Sequence, residues 1–132
     1  MDIQVSKHKG PPPVTVLHLM GDLNVNSYQQ LEARAREVQA AGARNLVVEM
    51  SEVNSISSAG VRAINNIFRQ LRTSDPAETD EAINAGLRDG TYKSPHLKLA
   101  GPSKAVKDVL SMAGIDMFIE IHPRLSEALA SF

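Results

Sequence analysis

Asn45-Leu46-Val47-Val48-Glu49-Met50 runs through Ser51-Glu52-Val53-Asn54-Ser55-Ile56 into Ser57-Ser58-Ala59-Gly60-Val61, and over this stretch one periodicity gives way to another. Leu46-Val47-Val48 is a short apolar run bounded by polar residues, which predicts a buried strand within Asn45 to Met50. Ser51 to Ser57 reads as a polar loop. Beyond it Val61, Ile64, Phe68 and Leu71 recur at helical spacing, with Ala63 and Ile67 widening the stripe. This predicts a helix from about Ser58 to Thr73. A buried strand therefore feeds, through one loop, directly into a helix N-terminus.

The same alternation extends in both directions. Upstream, Ile3 to Lys7 reads as an edge strand, ended by Pro11-Pro12-Pro13, which a central ladder would not accept. Val14 to Met20 is rich in β-branched and apolar residues and predicts a second strand, closed by Gly21-Asp22. Ser27-Tyr28-Gln29-Gln30 has the form of a capping box. Tyr28, Leu31, Ala35 and Val38 then share one helical face, and Gly42 stops the helix. Downstream, residues 74–95 break the rhythm. They are acidic in their first half, with one or two helical turns expected over Ala82 to Leu87, and are read as a surface insertion. Leu97 to Ala100 predicts a core strand. Ser103 caps a helix carrying Val106, Val109, Leu110 and Ala113, with Gly114 as its stop. Phe118 to Ile121 predicts a last strand, and Pro123 opens a final helix with Leu125, Ala128 and Leu129. Strands alternating with helices imply an α/β fold: one domain over residues 1–132 with a mostly parallel, mixed sheet of four to five strands and covering helices.

Totals narrow the function. The 132 residues suffice for one core. A net charge of -1 and few aromatics argue against nucleic acid as a direct partner. There is no cysteine, hence no disulfide and no thiolate chemistry. No apolar run approaches the ~20 residues that span a bilayer, and the polar, proline-bearing Met1 to Pro13 is unlike a secretory signal. A cytoplasmic protein without membrane insertion is expected. His8, His18, His96 and His122 lack metal-ligand spacing, so no metal site is expected. His18 and His122, in or beside strands, are read as structural. Neither a P-loop nor Gly-x-Gly-x-x-Gly occurs, and no cofactor is expected. Ser58 lies outside any Gly-x-Ser-x-Gly context and neither candidate loop holds a histidine, so an enzyme is not expected. Met112, Met117 and Phe118 are assigned to core packing.

In open α/β sheets functional loops collect at the carboxyl ends of the strands. Two qualify: Gly21 to Asn26 and Val53 to Gly60. By local chemistry alone Ser57 and Ser58 are N-cap residues. They also sit where a helix presents unpaired N–H groups and positive dipole. A phosphate there would leave the helix intact while adding about -1.5 to -2 charges. The small Ala59 and Gly60 leave the hydroxyls open to an approaching surface.

Four stretches together resemble the STAS domain family, most closely its anti-sigma-factor antagonists. They are Gly21-Asp22-Leu23-Asn24, Leu46 to Ser51 with Ile56-Ser57-Ser58-Ala59-Gly60-Val61, Pro102-Ser103 with Val106 and Leu110, and Ala113-Gly114-Ile115. The resemblance covers about Val14 to Phe132 apart from the insertion. It implies a switch in partner-swapping control of transcription: the antagonist binds an anti-sigma factor that is also a serine protein kinase, and a sigma factor is released. The kinase phosphorylates the antagonist, and a serine phosphatase reverses it. The acceptor position falls on Ser58, with Ser57 as the alternative. Asn24, Val53, Asn54, Ser55, Ile56, Ser57, Gly60 and Val61 fall in the expected contact patch. The chain departs from the family pattern at Asn24 and Ser57, where many members carry Asp. A second reading is a STAS-like scaffold or small-ligand module in a transport or sensory complex, without phosphorylation.

Overall fold

The computed structural model describes residues 1–132. Five strands, β1 (Asp2–His8), β2 (Val14–Met20), β3 (Leu46–Glu52), β4 (Leu97–Ala100) and β5 (Glu120–His122), form one sheet in the order β1-β2-β3-β4-β5. β1 pairs antiparallel with β2 and every other pair is parallel. Five helices connect and flank them: α1 (Tyr28–Ala40), α2 (Ser58–Thr73), α3 (Asp80–Asp89), α4 (Lys104–Met112) and α5 (Leu125–Ala130).

The central strands are apolar along both faces because both are covered. On one side Leu17, Leu19, Val48, Met50 and Leu99 meet Leu31 of α1, Ile64 and Ile67 of α2, and Leu110 of α4 in the main core. On the other side Val14, Val16, Val47 and Ala100 pack under Ala128 of α5. Lys98 is buried on that second face. Its Nζ donates to Glu120 Oε2 at 2.9 Å and to the Ser131 carbonyl at 2.9 Å, and lies 4.7 Å from the Phe132 ring centroid. Burial alone would raise the Glu120 pKa. The bonds from Lys98 and His122 outweigh it and hold this carboxyl below its ordinary value.

Several local expectations are corrected. Ser27 does not form a capping box; its hydroxyl is used elsewhere, as described below. The last strand starts at Glu120 rather than Phe118, because Ile115–Met117 takes a 3-10 turn and Phe118 turns inward, its ring 4.9 Å from that of Phe68. Within residues 74–95 the helix is longer than one or two turns. Thr79 caps α3 by accepting the Ala82 N–H, and Gly90 ends it at φ 72°. The segment is also tied down: Ile83 is buried, Tyr92 meets Phe68 edge-on at 6.2 Å, and the Tyr92 hydroxyl donates to Glu78 at 2.8 Å. Burial, then the neighbouring Glu78 carboxylate, push the Tyr92 pKa upward. Asp75 receives a bond from His96 Nε2 at 2.6 Å and another from the Ala77 N–H, which lower its pKa.

Candidate functional site

The β2–α1 and β3–α2 loops leave the carboxyl ends of neighbouring parallel strands and are joined by main-chain bonds. The Gly21 N–H donates to the Glu52 carbonyl at 3.0 Å, Leu23 N–H to Ser55 O at 3.0 Å, and Ser57 N–H to Leu23 O at 2.9 Å. Leu23 and Ile56 thus form an isolated parallel bridge that continues the sheet past its last regular pair. Leu23 is fully buried beneath it, and Val53 and Ile56 are buried with it in the main core.

This packing corrects the expected contact patch. Val53, Ile56 and Gly60 are interior residues and offer no side-chain surface to a partner. Gly60 is small for a different reason from the one expected. A Cβ there would lie 2.8 Å from both Leu23 Cγ and the Leu23 carbonyl oxygen, and 2.9 Å from Ile56 Cγ1. Glycine therefore lets the first turn of α2 seat on the two loops. Asn54 and Ser55 are exposed, and Asn24 and Val61 half-buried. Asn24 Oδ1 accepts the Asn26 N–H at 2.9 Å, so part of its side chain serves its own turn.

The two candidate serines are now distinguishable. Ser57 is the N-cap of α2, with extended backbone at φ -104° and ψ 177°. Its hydroxyl makes no capping bond; its Oγ is shut off from solvent and has no hydrogen-bond partner. Ser58, the first residue of α2, is exposed. It precedes the first helical bond, from Val61 N–H to Ser57 O at 3.0 Å, and no acidic residue lies in the first turn of α2. The Ser58 hydroxyl therefore stands at the positive end of a sixteen-residue helix.

Next to it lies a shallow, mainly apolar depression of about 320 Å³, lined by Ser58, Val61, Val109, Met112 and Ala113. Assigning Met112 and Met117 to the core is corrected here: they are 89% and 64% exposed, and of that trio Phe118 alone packs inward. Val106 and Leu110 set the buried face of α4, and Met112, two residues past Leu110, lies about 200° further round the helix. Phase against Leu110 was the available signal. The histidines are dispersed: His18 bonds Ser6, His122 bonds Glu120, and His96 bridges Asn45 and Asp75.

Known structures share this fold. An anti-sigma factor antagonist from Mycobacterium paratuberculosis superimposes with a TM-score of 0.74 at 19% identity, covering 98% of this chain and 92% of that one. The Bacillus cell fate determinant SpoIIAA in its phosphorylated form gives 0.61 at 18% identity, over 98% of both chains. A sulfate transporter family protein from Wolinella succinogenes gives 0.59 at 17% identity, over 89% of this chain and 83% of that one. At these identities the likeness is one of fold. No curated protein sequence matches the chain. The model of the STAS domain matches residues 3–75, more than half of the chain, which belongs to the STAS domain family.

Proposed function

We propose that this STAS domain is an anti-sigma-factor antagonist: a phosphorylation-gated, non-enzymatic switch that binds an anti-sigma factor with serine kinase activity and so frees a sigma factor. The carrying observation is the pairing of an exposed Ser58 hydroxyl with an apolar depression at the same helix start. The exposed Asn54, Ser55 and Met112, together with the half-buried Asn24 and Val61, form the docking surface in this reading.

The switch follows from charge and solvation. Unmodified, Ser58 is a small neutral group at the rim of a surface that a partner can dry. The kinase supplies ATP and Mg²⁺: Ser58 Oγ bonds to the γ-phosphorus as the bond to the β-phosphate oxygen breaks, ADP leaves, and the hydroxyl proton passes to a base of the kinase. The phosphate brings about -1.5 to -2 charges. The unpaired N–H groups and dipole of α2 accommodate it, so the fold persists. The rim, however, becomes anionic, and covering it with an apolar partner surface then requires stripping water from that charge. The neutral Asn24 and Ser57 put no carboxylate beside the phosphate. A serine phosphatase resets the switch.

Incubation with the cognate kinase and ATP, followed by peptide mass spectrometry, tests this directly. Label is expected on Ser58 and absent from Ser58→Ala, and Ser58→Asp should lose kinase binding while keeping the wild-type melting temperature. Label on neither Ser57 nor Ser58 would overturn the proposal.

One observation favours a second reading. Asn24 and Ser57 replace carboxylates common in the antagonists, and the fold is shared with a sulfate transporter family protein. As an unphosphorylated scaffold, the chain would co-purify from its native cell with transport or sensory subunits and carry no phosphate.

A further inference from the structure

The two edges of the sheet are finished very differently. β5 is three residues long, too short to template another strand. β1 is seven residues long, pairs on one side only, and contains no proline, glycine or bulge. Six of its seven residues are exposed, Val5 at 37%. A long regular edge of unpaired N–H and C=O groups invites another strand. Here the devices that blunt an edge are missing, except for the charges of Asp2 and Lys7 near its two ends.

We infer that β1 is a self-association edge, pairing antiparallel with β1 of a second copy. A seven-residue strand fully overlapped with its own antiparallel copy has its two-fold axis at the fourth residue, Val5. In that register Asp2 faces His8 of the second copy, Ile3 faces Lys7, Gln4 faces Ser6, and Val5 faces Val5. The pairing is self-complementary as a two-fold contact requires. Acid meets imidazole at both ends, amide meets hydroxyl, and the Lys7 stem covers Ile3. Opposing residues in this register lie on the same face, so the α1, α2 and α4 helices of both copies fall on one side of a continuous ten-stranded sheet and both α5 helices on the other, the sheet having twice the five strands of one copy.

The helix layer leaves room for the addition. Ile3, Val5 and Lys7 pair with Leu19, Leu17 and Thr15, which puts them on the helix side of the sheet. On that side two open grooves, of about 630 and 610 Å³, separate β1 from α1. The side chains of an added strand project toward this space. The joint lies at the sheet edge, whereas Ser58 opens at the carboxyl end of β3, so a pair of copies carries two accessible serines. The inference does not depend on the role of Ser58.

Sedimentation equilibrium of the full chain over a concentration series tests it. The weight-average mass should rise from 14.3 kDa toward twice that value. Val5→Lys, which sets two cations against each other at the axis while adding only an exposed lysine to the single copy, should weaken association by about tenfold. Asp2→Lys should weaken it too, and Asp2→Lys combined with His8→Asp should restore it. A wild-type mass that stays at 14.3 kDa throughout overturns the inference. So does association that both Val5→Lys and Asp2→Lys leave unchanged.

Discussion

Ser27 and Ser57 occupy equivalent places in two successive strand–loop–helix turns, each the residue before its helix, and the fold treats them oppositely. The Ser27 hydroxyl is buried and fully used: it donates to the Asp22 carbonyl at 2.7 Å and accepts the Asn24 N–H at 3.0 Å. The Ser57 hydroxyl is equally withdrawn from water and bonded to nothing. One loop is fastened by its serine. The other is fastened by main-chain bonds to the first and by the buried Val53 and Ile56, and its serine contributes a polar group without return. The difference teaches that a serine at an N-cap position is not thereby a cap. It also separates Ser58 from its neighbour, since a hydroxyl must reach solvent to meet a kinase.

The comparison can be broken most severely at the residue both loops share. Leu23→Ala empties the plug under the Leu23–Ile56 bridge and should cost about 2–5 kcal/mol in chemical denaturation. A loss near zero would mean that the loops are not packed as one unit. Ser27→Ala comes next: it strands the Asp22 carbonyl and the Asn24 N–H and should cost about 1–3 kcal/mol. Melting in acid supplies a control on both loops. Asp75 and Glu120 titrate below their ordinary values of 3.8 and 4.5, so their contribution is present above those values and is lost as pH falls through the lowered folded-state values. Ser27→Ala and Ser57→Ala should share the wild-type acid limb, whereas Asp75→Asn and Glu120→Gln should flatten it. The smallest effect belongs to Ser57→Ala, which removes an unsatisfied hydroxyl and should shift stability by less than about 1 kcal/mol, in the stabilising direction. Destabilisation there as large as that of Ser27→Ala would erase the contrast.

Much of this architecture is legible along the chain. Val14–Met20, Leu97–Ala100 and Ser58–Thr73 fold as their periodicity predicts, because their apolar pattern is also their packing pattern. Legibility fails where a distant group decides. Ser27 looks like half of a capping box until Asp22 and Asn24 claim its hydroxyl. Gly60 reads as an opening to partners until Leu23 and Ile56 arrive beneath it. Val53 and Ile56 sit in a polar-looking loop whose apolar members turn inward only because a neighbouring loop bridges to it. The exposed Ser58 at a helix start is readable locally; the adjoining apolar depression is not, since it needs α2 and α4 side by side.

The bridge between the two loops has a consequence for how such a domain could diversify. Its scaffold is written in backbone bonds and in the inward-facing Leu23, Val53 and Ile56. The outward side chains Val25, Asn26, Asn54 and Ser55 are exposed, and none of their side chains donates or accepts a bond in the joint. These four side chains can therefore change without touching the frame. Sister copies could acquire new partners, and stay insulated from one another's, by rewriting those four letters while the frame beneath stays as it is.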